Sequence, residues 1–314
     1  MEYLLLFVSL VILYFGAEWL VGGASSFAAR LGISPLIIGL TIVSMGTSAP
    51  ELVVSVKAAM MGQSALSVGN VVGSNLFNLV LILGVSALVF PLKVKRQLLK
   101  FDVPVMVLSS ILFLILFLDG KFSVYESGLF ILLFAGYMTF LFVKSMKGKN
   151  STSETESPEG HIRQYKHWII DILLIGVGLS GLIYGSGMLV DNSIIIARSL
   201  GMSEALIGLT IVAAGTSMPE LATSVVAAVK RQSDIAIGNV VGSNILNLLL
   251  ILGVAGFIYP IETKDINIMD NLFMVGVSLL LWVFMKMDTK IRRWQGGLYL
   301  LLYAAYLSFK LNFL

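Results

Sequence analysis

Cysteine is absent and histidine occurs only twice, at His161 and His167. The first absence excludes disulfides and thiolate metal ligands. The second leaves no imidazole in the interior of the long apolar runs, His167 standing at the edge of one, so a Ser–His nucleophile pair or a zinc site buried among them is excluded, and no proton-relay role is expected for either histidine. Charge is also scarce. Only 12% of the 314 residues are charged against 57% hydrophobic, and the mean hydropathy of +0.94 lies far outside the range of soluble domains. The apolar runs lack the strict alternation of a membrane barrel and are too long for its strands. What remains is an all-α integral membrane protein, with the lipid bilayer as its surroundings and no nucleic-acid partner.

Ten apolar runs are long enough to cross about 30 Å of hydrocarbon. They fall at 3–28, 34–60, 64–90, 102–119, 122–144, 167–195, 203–229, 233–260, 266–286 and 294–312. The first has no basic segment before it and too long an apolar core for a secretory signal, so it is read as the first span. With ten spans and the N-terminus outside, sixteen of the 21 Lys and Arg lie on one set of loops. The other set holds only Lys57, Lys121, Arg198, Lys264 and Lys310. The positive-inside rule then places both termini outside the cell and the polar stretch 144–166 in the cytoplasm. A plasma-membrane location is expected.

The chain repeats itself. GLTIVSMGTSAPELVVSVKAA (39–59) returns as GLTIVAAGTSMPELATSVVAA (208–228), and GNVVGSNLFNLVLILGV (69–85) returns as GNVVGSNILNLLLILGV (238–254), all at one spacing of 169 residues. Residues 1–143 and 167–314 are therefore read as two copies of a five-helix unit, joined by the polar linker 144–166. An odd number of spans per copy makes the second copy run through the membrane in the opposite sense. Inverted repeats with interrupted helices near the midplane are a transporter architecture, and the interrupted pair points to the binding site. Here the interruptions are Pro50 and Pro219, each followed by a glutamate.

On a helical wheel Ser44, Thr47, Ser48, Glu51 and Ser55 share one face, as do Ala213, Thr216, Ser217, Glu220 and Ser224. The third and eighth spans add Asn70, Ser74 and Asn78, and Asn239, Ser243 and Asn247, each trio at i, i+4, i+8. Proline removes a backbone donor, so carbonyls near 44–46 and 213–215 are expected to turn toward a cavity. Taken singly, these serines, threonines and asparagines read equally well as helix-packing residues. Two glutamates at matching places in inverted copies do not, because the lysines within the ten spans, Lys57, Lys144, Lys286 and Lys310, stand near the span ends and none is placed to pair with them. Together the groups offer oxygen ligands only, which suits Ca²⁺ and also Na⁺. Glu18 has no counterpart carboxylate, and both a packing and a supporting role stay open for it.

GTSAPE with GNVVGSNLFN, repeated as GTSMPE with GNVVGSNILN, resembles the two alpha-repeats of the cation/calcium exchanger superfamily, in particular its sodium/calcium exchangers. The resemblance implies a ten-helix antiporter in which the first and sixth helices move as a gating pair. It implies Glu51 and Glu220 as the central carboxylates, with Thr47, Ser48, Thr216 and Ser217 beside them and Asn78 and Asn247 completing the centre. Carbonyls of Ser44 and Ala213 and hydroxyls of Ser74 and Ser243 would serve outlying sodium sites. Some relatives, potassium-dependent exchangers among them, have aspartate where Asn247 stands, so the resemblance implies a potassium-independent exchanger.

The expected function is exchange of Na⁺ for Ca²⁺, electrogenic at three to one by the resemblance, with the ions as cargo and no cofactor. Exchange of Ca²⁺ for H⁺ through protonation of Glu51 and Glu220 is the alternative within the same architecture. A cation channel is the alternative from another class, and it gives no reason for a doubled inverted core. No enzymatic activity is expected, and a monomer suffices for transport.

Overall fold

The computed structural model describes residues 2–148, 164–201, 213–262 and 268–312. Among them, the first copy contributes α1 (Glu2–Leu31), a broken α2 (Pro35–Thr47 and Ala49–Met60), α3 (Ser64–Val89), α4 (Leu98–Leu116) and α5 (Val124–Gly148). The second contributes α6 (Trp168–Ser199), a broken α7 (Ala213–Gly215 and Met218–Val229), α8 (Ser233–Ile258), α9 (Ile268–Met287) and α10 (Arg293–Asn312). Seven of these helices are long and apolar enough to span a membrane, and the two halves of α2, bent by 49°, make an eighth span. The run expected at 203–229 is described only from Ala213 onward. Helix α10 has the length, but its tyrosines, Lys310 and Asn312 dilute its hydropathy. Most of the linker, residues 149–163, lies outside the described residues, as does His161.

Among the described residues, four strands of two residues each join the helix ends: β1 (Leu92–Lys93), β2 (Lys121–Phe122), β3 (Ile261–Glu262) and β4 (Lys290–Ile291). They are too short for alternation to signal them. Their pairing displays the inversion directly. β1 pairs antiparallel with β4, Leu92 opposite Ile291, and β2 pairs with β3, Phe122 opposite Ile261. At the repeat spacing, β1 corresponds to β3 and β2 to β4. Since β1 and β2 lie at opposite ends of α4, each strand and its repeat counterpart sit at opposite faces of the molecule.

Helices α3 and α8 form the centre, with 78% of each apolar window buried inside the protein. The corresponding shares for α1, α5 and α6 are 33%, 22% and 28%, as expected of helices whose outer faces meet lipid. Helix α1 packs along α6 in antiparallel fashion. Gly16 and Gly178 bring the two backbones into contact, since a Cβ on Gly178 would lie 2.6 Å from Leu20 N. At one end the pair is closed by Arg30, whose Nε donates to the buried Asp171 carboxylate at 2.8 Å.

Candidate functional site

A proline followed by a glutamate looks costly inside a membrane helix, but the structure places both residues at a helix start. Helix α2 breaks at Ser48 (φ −83°, ψ 9°) and α7 at Ser217 (φ −90°, ψ 9°). Pro50 and Pro219 fall in the first two positions of the new segments, where an N–H has no intrahelical partner anyway. Glu51 and Glu220 fall in the first turn, where the positive end of the helix dipole favours a carboxylate. The sequence had suggested loosening around residues 44–46; in the structure 44–47 is helical and the break comes at Ser48. The Ser44 carbonyl accepts the Ser48 N–H at 3.0 Å and lies 3.4 Å from Thr47 Oγ1. Ala213 opens the short segment Ala213–Gly215, and only its backbone is described.

The two breaks face each other. Ser48 Oγ donates to Glu220 Oε1 at 2.7 Å, and its repeat counterpart Ser217 donates to Glu51 Oε1 at 2.9 Å. Each carboxylate is thus held by the serine of the other copy. Ser74 Oγ reaches the same Glu51 oxygen at 3.4 Å, and Ser243 Oγ lies 3.0 Å from Ser48 Oγ. Having spent its one proton on Glu220, Ser48 accepts from Ser243. Asn70 and Asn239 stand one turn away from the carboxylates. Asn70 Nδ2 donates to Ser55 Oγ at 2.9 Å and to the Glu51 carbonyl at 3.3 Å; Asn239 Nδ2 donates to Ser224 Oγ at 3.0 Å and to the Glu220 carbonyl at 3.4 Å. These amides clamp the second halves of α2 and α7 onto α3 and α8. Thr47 Oγ1 donates to Asn239 Oδ1 at 3.0 Å.

Glu51, Glu220, Ser48, Ser217, Asn78 and Asn247 have no exposed surface. Five buried oxygens among these groups and Thr216 lack a hydrogen-bond partner among the described residues: Glu51 Oε2, Glu220 Oε2, Asn78 Oδ1, Asn247 Oδ1 and Thr216 Oγ1. A buried polar atom left unpaired costs about 1–3 kcal/mol, so each of these oxygens calls for a partner that the described residues do not supply. Asn78 and Asn247 both fall where the helix widens into a π-helical turn, Phe77–Ile82 in α3 and Asn247–Leu252 in α8, a feature frequent at functional sites.

Other residues considered from sequence lie elsewhere. Glu18 pairs with Lys230 at 2.7 Å beyond the end of α7, and His167 is exposed. Asn75 is off the i, i+4, i+8 face of α3 and so is not among the residues that the spacing singles out, yet its Oδ1 accepts from Asn247 Nδ2 at 3.0 Å. The signal available was the repeat itself, since Asn75 returns as Asn244.

Against known proteins, the family model described as sodium/calcium exchanger protein matches residues 1–143 and 170–312. The sodium/calcium exchanger MaX1 of Methanosarcina acetivorans is 35% identical over 346 aligned positions, covering 98% of this chain and 97% of the relative. The inner membrane protein YrbG of Escherichia coli is 36% identical, covering 88% of each. The solved structure of the sodium-calcium exchanger NCX_Mj superposes with a TM-score of 0.84 at 32% identity, covering 98% of this chain and 97% of that one.

Proposed function

Because the chain belongs to the sodium/calcium exchanger family, a family of membrane antiporters, we propose that it exchanges Na⁺ for Ca²⁺ across the cell membrane at the site between the two helix breaks. The observation that carries this reading is the reciprocal pairing of Ser48 with Glu220 and Ser217 with Glu51, which leaves one buried oxygen free on each carboxylate. Two carboxylates bring two negative charges, which one Ca²⁺ neutralises. The free oxygens of Glu51 and Glu220, with Asn78 and Asn247 Oδ1 and the neighbouring hydroxyls, form the donor set that a hard cation takes, with its tolerance for six to eight oxygens. Thr47, Ser48, Thr216, Ser217, Ser74 and Ser243, with the backbone carbonyls of Ser44 and Ala213, make up the rest of the proposed ion path.

Three Na⁺ in place of one Ca²⁺ leave the site with one net positive charge. Each turnover then moves one charge, and the membrane potential contributes about 2.3 kcal/mol per 100 mV to the cycle. Asparagine rather than aspartate at 247 fits exchange without potassium. In this reading residues 1–143 and 167–314 are the two inverted units, 144–166 is a cytoplasmic linker, both termini lie outside, α1 and α6 are the moving pair, and one chain is a complete transporter.

The test is calcium uptake into proteoliposomes loaded with sodium and diluted into sodium-free medium. Uptake that depends on the sodium gradient, is increased by an inside-positive potential and persists when choline replaces potassium on both sides supports electrogenic, potassium-independent exchange of sodium for calcium. Uptake that follows an imposed pH gradient and ignores sodium would replace sodium by protons as the coupling ion.

A further inference from the structure

We propose that Asn75 is a positioning residue that fixes the amide of Asn247 so that its oxygen, and not its nitrogen, is presented to the cation. This proposal rests on the reading of Asn247 as an ion ligand. The backbone carbonyl of Asn244 can only accept a hydrogen bond. Asn75 Nδ2 points at that carbonyl, 3.3 Å away, and also lies 3.8 Å from Met274 Sδ. With its nitrogen committed there, Asn75 turns Oδ1 toward Asn247, whose Nδ2 donates to it at 3.0 Å. Asn247 Oδ1 is then the end of the chain and has no partner among the described residues. Flipping either amide would set oxygen against oxygen or nitrogen against nitrogen in a site where both side chains are buried, 1% and 0% exposed. The three groups form a one-way relay that delivers a lone pair to the site. A carboxylate at 247 would have no proton to give Asn75, so the relay as built is matched to asparagine.

The relay exists in one copy only. Asn75 and Asn244 are repeat counterparts and lie against each other, so the mirror arrangement would need Asn244 to do for Asn78 what Asn75 does for Asn247. Instead Asn244 Nδ2 turns back to the Val240 carbonyl at 2.7 Å, and neither side-chain atom of Asn78 has a partner among the described residues. The two asparagines that the repeat makes equivalent are therefore inequivalent ligands: Asn247 is preset, and Asn78 is oriented only when a cation arrives.

The experiment is calorimetric titration of the full-length protein in detergent with calcium chloride, for Asn247→Ala, Asn75→Leu and the double variant, with thermal unfolding recorded for each and transport measured in proteoliposomes. Loss of one orienting hydrogen bond should raise the Kd of Asn75→Leu about three- to tenfold, raising KM for calcium with little change in the maximal rate. In the double variant the substitution at 75 should add nothing to the loss caused by Asn247→Ala, because Asn75 acts through that amide. An unchanged Kd for Asn75→Leu, or a full additional loss in the Asn247→Ala background, overturns the relay while leaving the ion site intact. An unchanged Kd for Asn247→Ala overturns the ligand role of Asn247 and the relay with it. If Asn75→Leu does not fold, Asn75→Ser carries the same expectations, since its hydroxyl is too short to reach both partners.

Discussion

A carboxylate at the start of a broken helix can be replaced by its amide with almost no change of shape. Glu51→Gln and Glu220→Gln therefore separate charge from packing. Each should fold and insert, keep a hydrogen bond to Ser217 or Ser48, and lose calcium transport, because a site with one negative charge no longer neutralises Ca²⁺. Near-normal calcium uptake by either variant would move the centre elsewhere. Removing only the cross-copy bond is milder: Ser48→Ala leaves the Glu220 charge in place and should weaken calcium binding by about tenfold or less, read as a change in KM. At this scale the sequence was legible where the repeat duplicated a residue type that has no place in a membrane helix, as with Glu51 and Glu220. It was silent on which serine holds which glutamate, because Ser48 and Glu220 are 172 positions apart and meet only across the two copies. Asn75 escaped for a related reason. Its role is set by a neighbour on α8, not by the face of α3 on which it stands.

Among the elements, the broken helices were anticipated from Pro50 and Pro219, but the site of the break was not. A proline constrains the residues before it, and the chain answers by starting a new helix just ahead of the proline, at Ser48 and Ser217, so that the orphan N–H groups of a helix start stand beside the carboxylates. A second feature of the elements departs from the repeat. Lys230, just past α7, bonds both the Glu18 carboxylate at 2.7 Å and the Glu18 carbonyl at 3.3 Å, and Ser25 Oγ of α1 lies 2.7 Å from the Gln232 side-chain amide. The counterparts of Glu18, Lys230 and Ser25 are Gly187, Met61 and Ile194, which cannot form such ties at the opposite face. If α1 and α6 move as a pair, these bonds favour the state in which that pair is docked on the α7–α8 turn. A half-exposed ion pair is worth about 1 kcal/mol or less, so Glu18→Ala or Lys230→Ala should change apparent calcium affinity by no more than about fivefold. The change should be in opposite directions at the two membrane faces, measured from each side of oriented vesicles. Glu18→Lys with Lys230→Glu should restore the native values. Changes of the same sign at both faces would mean that the tie supports the fold and does not bias the two states.

For the whole molecule, inversion and orientation are separate propositions, and the four short strands allow both to be tested at once. Lys93 and Lys290 are exposed neighbours in the β1–β4 pair, while Lys121 and Glu262 are exposed neighbours in the β2–β3 pair at the opposite face. By repeat position, however, Lys93 corresponds to Glu262 and Lys121 to Lys290. A chain without native cysteine gives no labelling background, so a single cysteine can be placed at each of the four positions in turn. The substitutions should be well tolerated, because the side chains are exposed and the Lys121–Glu262 pair at 3.0 Å is a surface ion pair of small energetic weight. A membrane-impermeant thiol reagent added to intact cells should label positions 121 and 262 and spare 93 and 290 until the membrane is permeabilised. That outcome places repeat counterparts on opposite sides and the lysine- and arginine-rich loops in the cytoplasm. The reverse pattern, with 93 and 290 labelled from outside, keeps the inverted architecture but turns the molecule over, so the positive-inside reading of the loops would be wrong. Labelling of 93 together with 262 from one side would break the strand pairing itself, and with it the opposed breaks that bring Ser48 to Glu220 and Ser217 to Glu51.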